Sequence, residues 1–173
     1  LCSACALGSY KNLSGNFQCA LCEVGKYSEV MGSASCSHCQ SGTYASTMGQ
    51  ESCSSCPEGK YSNLTGGSEC FDCSAGKVSA DGASECTTCT AHSDVHNGGN
   101  SLTNCTCNLG HTGPNGGPCV ACDAGTYKDL NGSAACSLCL PGKFSNETGA
   151  VSDTSCDNCQ SDSHSSEGSV ICS

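Results

Sequence analysis

The sequence has no tryptophan, no arginine and few large apolar side chains. Leu, Ile, Val and Phe together supply 21 of the 173 residues, which is below the share from which a chain of this length builds an ordinary hydrophobic core. No apolar run is long enough to span a bilayer. We therefore expect no membrane insertion by this segment, and we expect something other than apolar packing to hold it folded.

Positive charge is also scarce. Six lysines stand against sixteen acidic residues, which gives a formal net charge of -10. Proteins that bind nucleic acid need clustered cations to neutralise phosphate, so nucleic acid is not expected as a partner. The acidic residues are scattered along the chain, as they are on a solvated surface.

The chain lacks the residue sets that enzymatic chemistry requires. No Ser, His and acid set has a scaffold to hold it, no paired carboxylates flank a cleft, and so thin a core leaves no room for a pocket. We predict no enzymatic activity, no cofactor and no metal. His92, Asp94 and His96 could be read as metal ligands, but they lie in a Gly- and Asn-rich stretch without further ligands, so we expect them to be exposed to solvent.

Cysteine, in contrast, is abundant, with 21 residues that fall mostly in C-x-x-C pairs. One alternative is zinc, but zinc sites group four ligands per ion, whereas these pairs run on evenly. Disulfides closing loops of about fifteen residues stabilise by roughly 3 kcal/mol each, and they persist in oxidising surroundings. The composition therefore predicts a disulfide-held extracellular protein, either secreted or on the cell surface.

One stretch of eighteen residues, CALGSYKNLSGNFQCALC from Cys5 to Cys22, recurs almost to the end. Counted from the second cysteine of each pair, a first glycine follows at three residues, an aromatic at five and a second glycine at about ten. The glycines turn the chain, and the short runs between them are extended. We predict a small disulfide-rich fold, an elongated solenoid-like rod of short β-hairpin units with almost no helix.

The recurring aromatic is the only large side chain in most repeats. We expect it to lie flat over the disulfides as a miniature apolar core; the alternative is contact with a ligand. Its positions are Tyr10, Tyr27, Tyr44, Tyr61, Tyr127 and Phe144, with Val78 as the substitute.

Two disulfide schemes fit the cysteine spacing. In a ladder, the second cysteine of each pair joins the first cysteine of the next, and Cys2 is left for a partner upstream. In a crossed scheme, successive pairs join, beginning with Cys2 to Cys19 and Cys5 to Cys22. We predict the ladder because every interval has the same glycine and aromatic pattern. Its bridges are Cys5 to Cys19, Cys22 to Cys36, Cys39 to Cys53, Cys56 to Cys70, Cys73 to Cys86, Cys89 to Cys105, Cys107 to Cys119, Cys122 to Cys136, Cys139 to Cys156 and Cys159 to Cys172.

The pattern divides the chain into three parts. Residues 1–89 form five regular repeats, residues 90–122 form an irregular insert, and residues 123–173 return to the repeat. We expect the whole to be a fragment of a longer chain, because it opens and closes inside a repeat. The insert carries a C-x-C pair in CTCNLGHTGPNGGPC, with Gly110 and Gly113 at its turns.

Five N-x-S/T triplets predict N-linked glycans. They begin at Asn12, Asn63, Asn104, Asn131 and Asn146. Three of them stand seven residues after the second cysteine of their repeat and Asn131 stands nine after, so these glycans are expected to project from equivalent tips. Asn104 is expected to be occupied less often, because the middle residue of its triplet is a cysteine.

The pattern C-x-x-C-x-x-G-x-Y, with a glycine before the next C-x-x-C, resembles the ephrin-receptor-like cysteine-rich repeat, which is similar to the first half of a tumour-necrosis-factor-receptor module. The C-x-C insert resembles the epidermal-growth-factor-like inserts found between such repeats in very large surface proteins of algae, oomycetes and other protists. The resemblance implies an extracellular array held by disulfides. It does not imply kinase activity, since no kinase motif is present.

Two functions remain open. The first is a structural, glycosylated module of an extracellular fibre or surface coat, such as a flagellar hair, sheath or wall protein, whose partners are other copies or other repeats of the same assembly. The second is the ligand-binding ectodomain of a cell-surface receptor. We favour the first, because binding surfaces concentrate large aromatics and Arg, whereas the variable positions here are mainly Ser, Ala, Asn and Thr.

Overall fold

The computed structural model of the protein describes residues 3–13, 18–95 and 99–173. These residues form two compact units. One holds the described residues up to Thr87 together with Gly99 and Asn100, and the other holds the rest.

Ten disulfides join the described cysteines in the ladder pairing, each with a Cα–Cα distance of 5.5 to 5.8 Å. We number the repeats by these bridges, from repeat 1, closed by Cys5–Cys19, to repeat 10, closed by Cys159–Cys172. The irregular insert follows the same rule, because Cys89–Cys105 closes repeat 6 and Cys107–Cys119 closes repeat 7. Cys2 lies outside the described residues.

Each of the first nine repeats contributes one antiparallel hairpin of two-residue strands, and the strands pair in sequence order. The first strand follows the first glycine, and the second lies between the two cysteines of the next pair. In chain order the strands are β1 Ser9–Tyr10, β2 Ala20–Leu21, β3 Lys26–Tyr27, β4 Ser37–His38, β5 Thr43–Tyr44, β6 Ser54–Ser55, β7 Lys60–Tyr61, β8 Phe71–Asp72, β9 Lys77–Val78, β10 Thr87–Thr88, β11 Ser93–Asp94, β12 Thr106–Cys107, β13 His111–Thr112, β14 Val120–Ala121, β15 Thr126–Tyr127, β16 Ser137–Leu138, β17 Lys143–Phe144 and β18 Asp157–Asn158.

Helix is nearly absent from the described residues, as the sequence predicts. Two 3₁₀ turns, Leu102–Asn104 and Asp153–Ser155, are the helical segments there. Each lies just before the cysteine that closes a longer loop, since Cys89–Cys105 and Cys139–Cys156 have sequence separations of 16 and 17, against 12 to 14 for the other bridges. The extra residues therefore coil up next to the bridge and leave the hairpin unchanged.

The buried interior consists mainly of sulfur and small side chains. Cys22, Cys39 and Cys56 have no exposed surface, and Val78 is the largest side chain that is fully buried. The recurring tyrosines are half-buried, whereas Val78, which takes their position in repeat 5, is 2% exposed.

Neighbouring repeats are joined by main-chain hydrogen bonds. Between repeats 2 and 3, the N–H of Gly25 donates to the carbonyl of Ala45, the N–H of Ser28 donates to Gln50, and the N–H of Gly49 donates back to Cys22, with N···O distances of 2.8 to 3.2 Å. The equivalent three bonds join repeats 3 to 4, 4 to 5, 8 to 9 and 9 to 10. Because peptide groups make these bonds, the contact between repeats tolerates changes of side chain.

A further contact joins repeats that are two apart. Gly8 has φ of +71°, and a Cβ added to it would stand 2.0 Å from the carbonyl oxygen of Gly49. The same approach brings Gly25 to Gly66, Gly42 to Gly82, Gly110 to Gly149 and Gly125 to Gly168, all within 2.2 Å for the added Cβ. The first glycine is therefore required for two reasons, its left-handed backbone and the carbonyl that lies against it.

Candidate functional site

The described surface has grooves that recur at one place in the repeat. Each lies between the aromatic of one repeat and the bridge of the next. Groove A is lined by Tyr10, Glu23, Lys26, Ser35 and Cys36; groove B by Tyr61, Asp72, Ser74, Lys77, Glu85 and Cys86; groove C by Phe144, Asp157, Asn158, Gln160, Ser163, Ile171 and Cys172. The sequence argument that a thin core leaves no room for a pocket did not foresee them, because they lie on the surface between repeats.

The grooves differ in volume because of the residue four positions after the second cysteine. This residue is Lys26 in groove A and Lys77 in groove B, and the volumes there are about 150 and 270 Å³. In groove C the same position is Ser163, and the volume is about 580 Å³. A long side chain therefore occupies the first two grooves, whereas a short one leaves the third open.

The lysine in groove A is held by a carboxylate of its own repeat. Lys26 Nζ donates to Glu23 Oε2 at 2.8 Å. The hydrogen bond and then the opposite charge lower the pKa of Glu23 and raise the pKa of Lys26. Both groups are in contact with solvent, so the pair adds little to stability. Its effect is to fix where the ammonium lies in the groove that Tyr10 also lines.

Groove C is lined by a ring and by a carboxylate at a different position of the repeat, and it has no lysine in its lining. Phe144 on β17 is the cross-strand partner of Asp157 on β18. The two ion pairs of the described residues are Lys26 with Glu23 and Lys60 with Asp72, so neither involves Asp157. Ile171 adds an apolar edge and is 66% exposed. The groove thus combines an aromatic surface, an apolar edge and a carboxylate.

In five repeats a buried small residue follows the aromatic position, at the sixth place after the second cysteine. Ser28, Ala45, Ser62, Ser79 and Ser145 occupy it, each at most 5% exposed. The hydroxyl of Ser79 donates to the carbonyl of Lys60 in the preceding repeat at 2.9 Å. Ser165 makes the same bond to the carbonyl of Lys143 at 2.7 Å, so at these two positions a hydroxyl joins one repeat to the one before it.

In repeat 8 the same position holds Lys128, which is 3% exposed. Its ammonium donates to the carbonyl of His111 at 2.6 Å and also to the carbonyl of Gly132. The carbonyl of His111 is at the same position of the repeat as the carbonyl of Lys60, which accepts the hydroxyl of Ser79. An ammonium therefore makes in repeat 8 the hydrogen bond that a hydroxyl makes in repeat 5. Burial lowers the pKa of Lys128.

The residues considered for a metal are arranged differently from a metal site. His92 is exposed and its ring stacks on His111, with centroids 4.1 Å apart and an interplanar angle of 11°. The carboxylate of Asp94 accepts the N–H of Val95, and His96 lies outside the described residues. Across the described part of the chain, no three His, Cys, Asp or Glu residues are grouped to hold a metal ion.

The asparagines of all five N-x-S/T triplets are exposed. Asn104 differs from the others because its side-chain oxygen accepts the N–H of Ser101 in the 3₁₀ turn, at 3.2 Å. The next residue, Cys105, is 1% exposed and bonded to Cys89.

Sequence reasoning missed groove C and Lys128, although a signal for both was present. Aligned on the second cysteine, the fourth position after it reads Lys in four of the ten repeats and Ser163 in the last, and the sixth position reads Lys128 where most repeats have a small residue. Neither substitution has an evident consequence until the structure shows which of these positions face a groove and which are buried.

Hairpins closed one after another by a ladder of disulfides define a small cysteine-rich repeat protein. Family comparison makes this specific: the model of the tyrosine-protein kinase ephrin type A/B receptor-like family matches residues 1–39, 25–73 and 110–156. These matches cover more than half of the chain, so the protein belongs to this family, as the sequence predicted. A comparison with curated proteins gives no match.

The disulfide density and the ephrin-receptor-like repeats together indicate an extracellular or cell-surface protein. Disulfide-rich extracellular repeats of this kind are typically not enzymes. None of the helical segments in the described residues has the length and apolar character needed to cross a membrane.

Proposed function

We propose that the protein is a structural, N-glycosylated module of an extracellular fibre or surface coat, in which the connected repeats form a scaffold. The observation that carries this proposal is the set of main-chain hydrogen bonds between neighbouring repeats. A contact made by peptide groups holds whatever side chains the repeats display, which suits a scaffold more than a surface selected for one ligand.

Two further features support a structural role. Each bridge joins residues 12 to 17 positions apart. A force that stretches the chain is therefore carried by a disulfide in each of the ten bridged repeats. The exposed triplets at Asn63 and Asn146 occupy equivalent tips of repeats 4 and 9, where glycans add a hydrated cover. In this proposal the C-x-C insert, which resembles an epidermal-growth-factor-like module, is a variant repeat with the same disulfide pattern.

Sequential extraction of the source cells tests the proposal. An antibody against this segment should label material outside the plasma membrane that resists non-ionic detergent and is released by denaturant with a thiol reductant. A membrane glycoprotein from the same cells serves as the control and should appear in the detergent fraction. Release of this protein with that control would contradict the structural role.

Groove C supports a second candidate function, the ligand-binding ectodomain of a receptor. Among the three grooves it has the largest volume and it combines an aromatic ring with a carboxylate. The detergent fraction is the result expected for this alternative, so the same extraction separates the two functions.

A further inference from the structure

We propose that groove C binds a lysine side chain of another protein, whose ammonium takes the place that the chain's own lysine occupies in the equivalent grooves. The proposal goes beyond the structural role and does not depend on it. It rests on the comparison of three grooves that the same repeat builds from different residues.

The first step is the position of the cation. In grooves A and B a lysine at the fourth position after the second cysteine lies in a groove with a tyrosine and at least one carboxylate. Lys26 shows that an ammonium is stable there, since it donates to Glu23 at 2.8 Å. A cation beside an aromatic ring and a carboxylate gains from both.

The second step is the vacancy. Groove C is lined by an aromatic, Phe144, and an acid, Asp157, but the lysine position is Ser163. The acid is the cross-strand partner of the ring, a position that holds Ala20 opposite Tyr10 and Phe71 opposite Tyr61. Its volume of about 580 Å³ exceeds that of groove A by more than 400 Å³. The groove is therefore complementary to a cation that the chain does not provide.

The third step is the choice of a lysine side chain over other ligands. Ile171 borders groove C at the position that Ser35 holds in groove A and Glu85 in groove B. An apolar edge suits the methylene stem of lysine while the head group reaches the carboxylate. The net charge of -10 also favours a basic partner.

The fourth step is the distinction from other repeats. Tyr27 is also followed in the next repeat by a short residue, Thr43, at the lysine position, but its cross-strand partner is Ser37, whereas the partner of Phe144 is Asp157. Grooves A and B are each lined by two neighbouring repeats, without a third. Groove C is built in the same way from residues of repeats 9 and 10.

The test is NMR titration of the oxidised protein with Nα-acetyl-lysine-N-methylamide. Shifts should be confined to the resonances of Phe144, Asp157 and Ile171, with a dissociation constant on the order of millimolar, and Tyr27 should not respond. The norleucine analogue, which has the stem without the ammonium, should bind at least about fivefold more weakly. Equal binding of the two amides would overturn the proposal, as would shifts produced by neutral saccharides but not by the lysine amide.

Substitutions give the second part of the test. Ser163→Lys places in groove C the residue that grooves A and B already tolerate, so the variant should fold and should lose binding at least about fivefold, whereas Ser163→Ala should retain it. Asp157→Asn should weaken binding by a similar factor. Lys26→Ser should create a new site in groove A, with shifts at Tyr10. Wild-type affinity in Ser163→Lys would overturn the proposal.

Discussion

The carbonyl oxygen of Gly66 lies against the α-carbon of Gly25, two repeats earlier, so closely that a Cβ at residue 25 would stand 2.1 Å from it. The described residues therefore make contacts of two ranges, main-chain hydrogen bonds between neighbouring repeats and, at five positions, glycine contacts between repeats that are two apart.

Replacing Gly25 by alanine should destabilise the protein more than the same change at Gly59. Both glycines have positive φ, +78° and +75°, so each variant carries the strain of a left-handed alanine, about 1–2 kcal/mol. A Cβ at Gly59 meets nothing within 4 Å, whereas at Gly25 it collides with a main-chain carbonyl. Denaturant unfolding with the disulfides intact measures the difference, and equal losses in the two variants would mean that the glycine contact has no energetic role.

Lys128 should make stability depend on pH in a way that a serine does not. Because burial holds its pKa below the ordinary value of 10.5, the unfolded chain binds more protons than the folded one between the two values. The free energy of unfolding then rises with pH through that window. Comparing wild type with Lys128→Ser by denaturant unfolding, from neutral pH toward 10, should show a rise that the variant lacks.

The matched control for this prediction is Lys128→Met. Methionine fills the space but donates no hydrogen bond, so the carbonyls of His111 and Gly132 lose this donor, at a cost of about 1–3 kcal/mol. Serine can restore the bond to His111, as Ser79 does to Lys60. If Lys128→Met proves more stable than Lys128→Ser, the hydrogen bonds of the ammonium are not what holds repeats 7 and 8 together.

Mass-spectrometric mapping of the oxidised protein should recover Cys5–Cys19 and Cys22–Cys36, as in the ladder. Each of these bridges closes one hairpin, with its Cα atoms 5.7 Å apart. Recovery of a Cys2 to Cys19 bridge would instead establish the crossed scheme. The digest should be performed at acidic pH so that thiol exchange does not reshuffle the bridges.

Glycan occupancy should be high at Asn63, Asn131 and Asn146 and low at Asn104. The exposed asparagines at the loop tips are accessible, whereas the triplet of Asn104 contains Cys105, which is buried in its bridge to Cys89. Peptide mapping of protein secreted from a eukaryotic host measures the four sites in one sample. The idea of glycan-covered tips would fail if Asn63 and Asn146 were bare.

The repeat and its bridging could be predicted from the sequence because they depend on spacing. Bridged cysteines are 12 to 17 positions apart, and in most repeats a glycine stands three residues after the second cysteine of the pair, which leaves few ways to close a hairpin. Groove C could not be predicted, because its volume depends on which side chain enters the space between two repeats. His92 shows the same limit: it occupies a first-glycine position with φ of +60°, and nothing in its local sequence predicts that its ring stacks on His111.

The main-chain hydrogen bonds that join neighbouring repeats also allow whole repeats to be gained or lost as units during evolution. After one whole repeat is duplicated or deleted, the new neighbours can form the same main-chain hydrogen bonds, and no side chain has to change at the same time. Selection can then lengthen or shorten such a chain in single events, and it can alter one groove, as at Ser163, while the neighbouring repeats stay as they are. Length and recognition can thus evolve independently in this architecture.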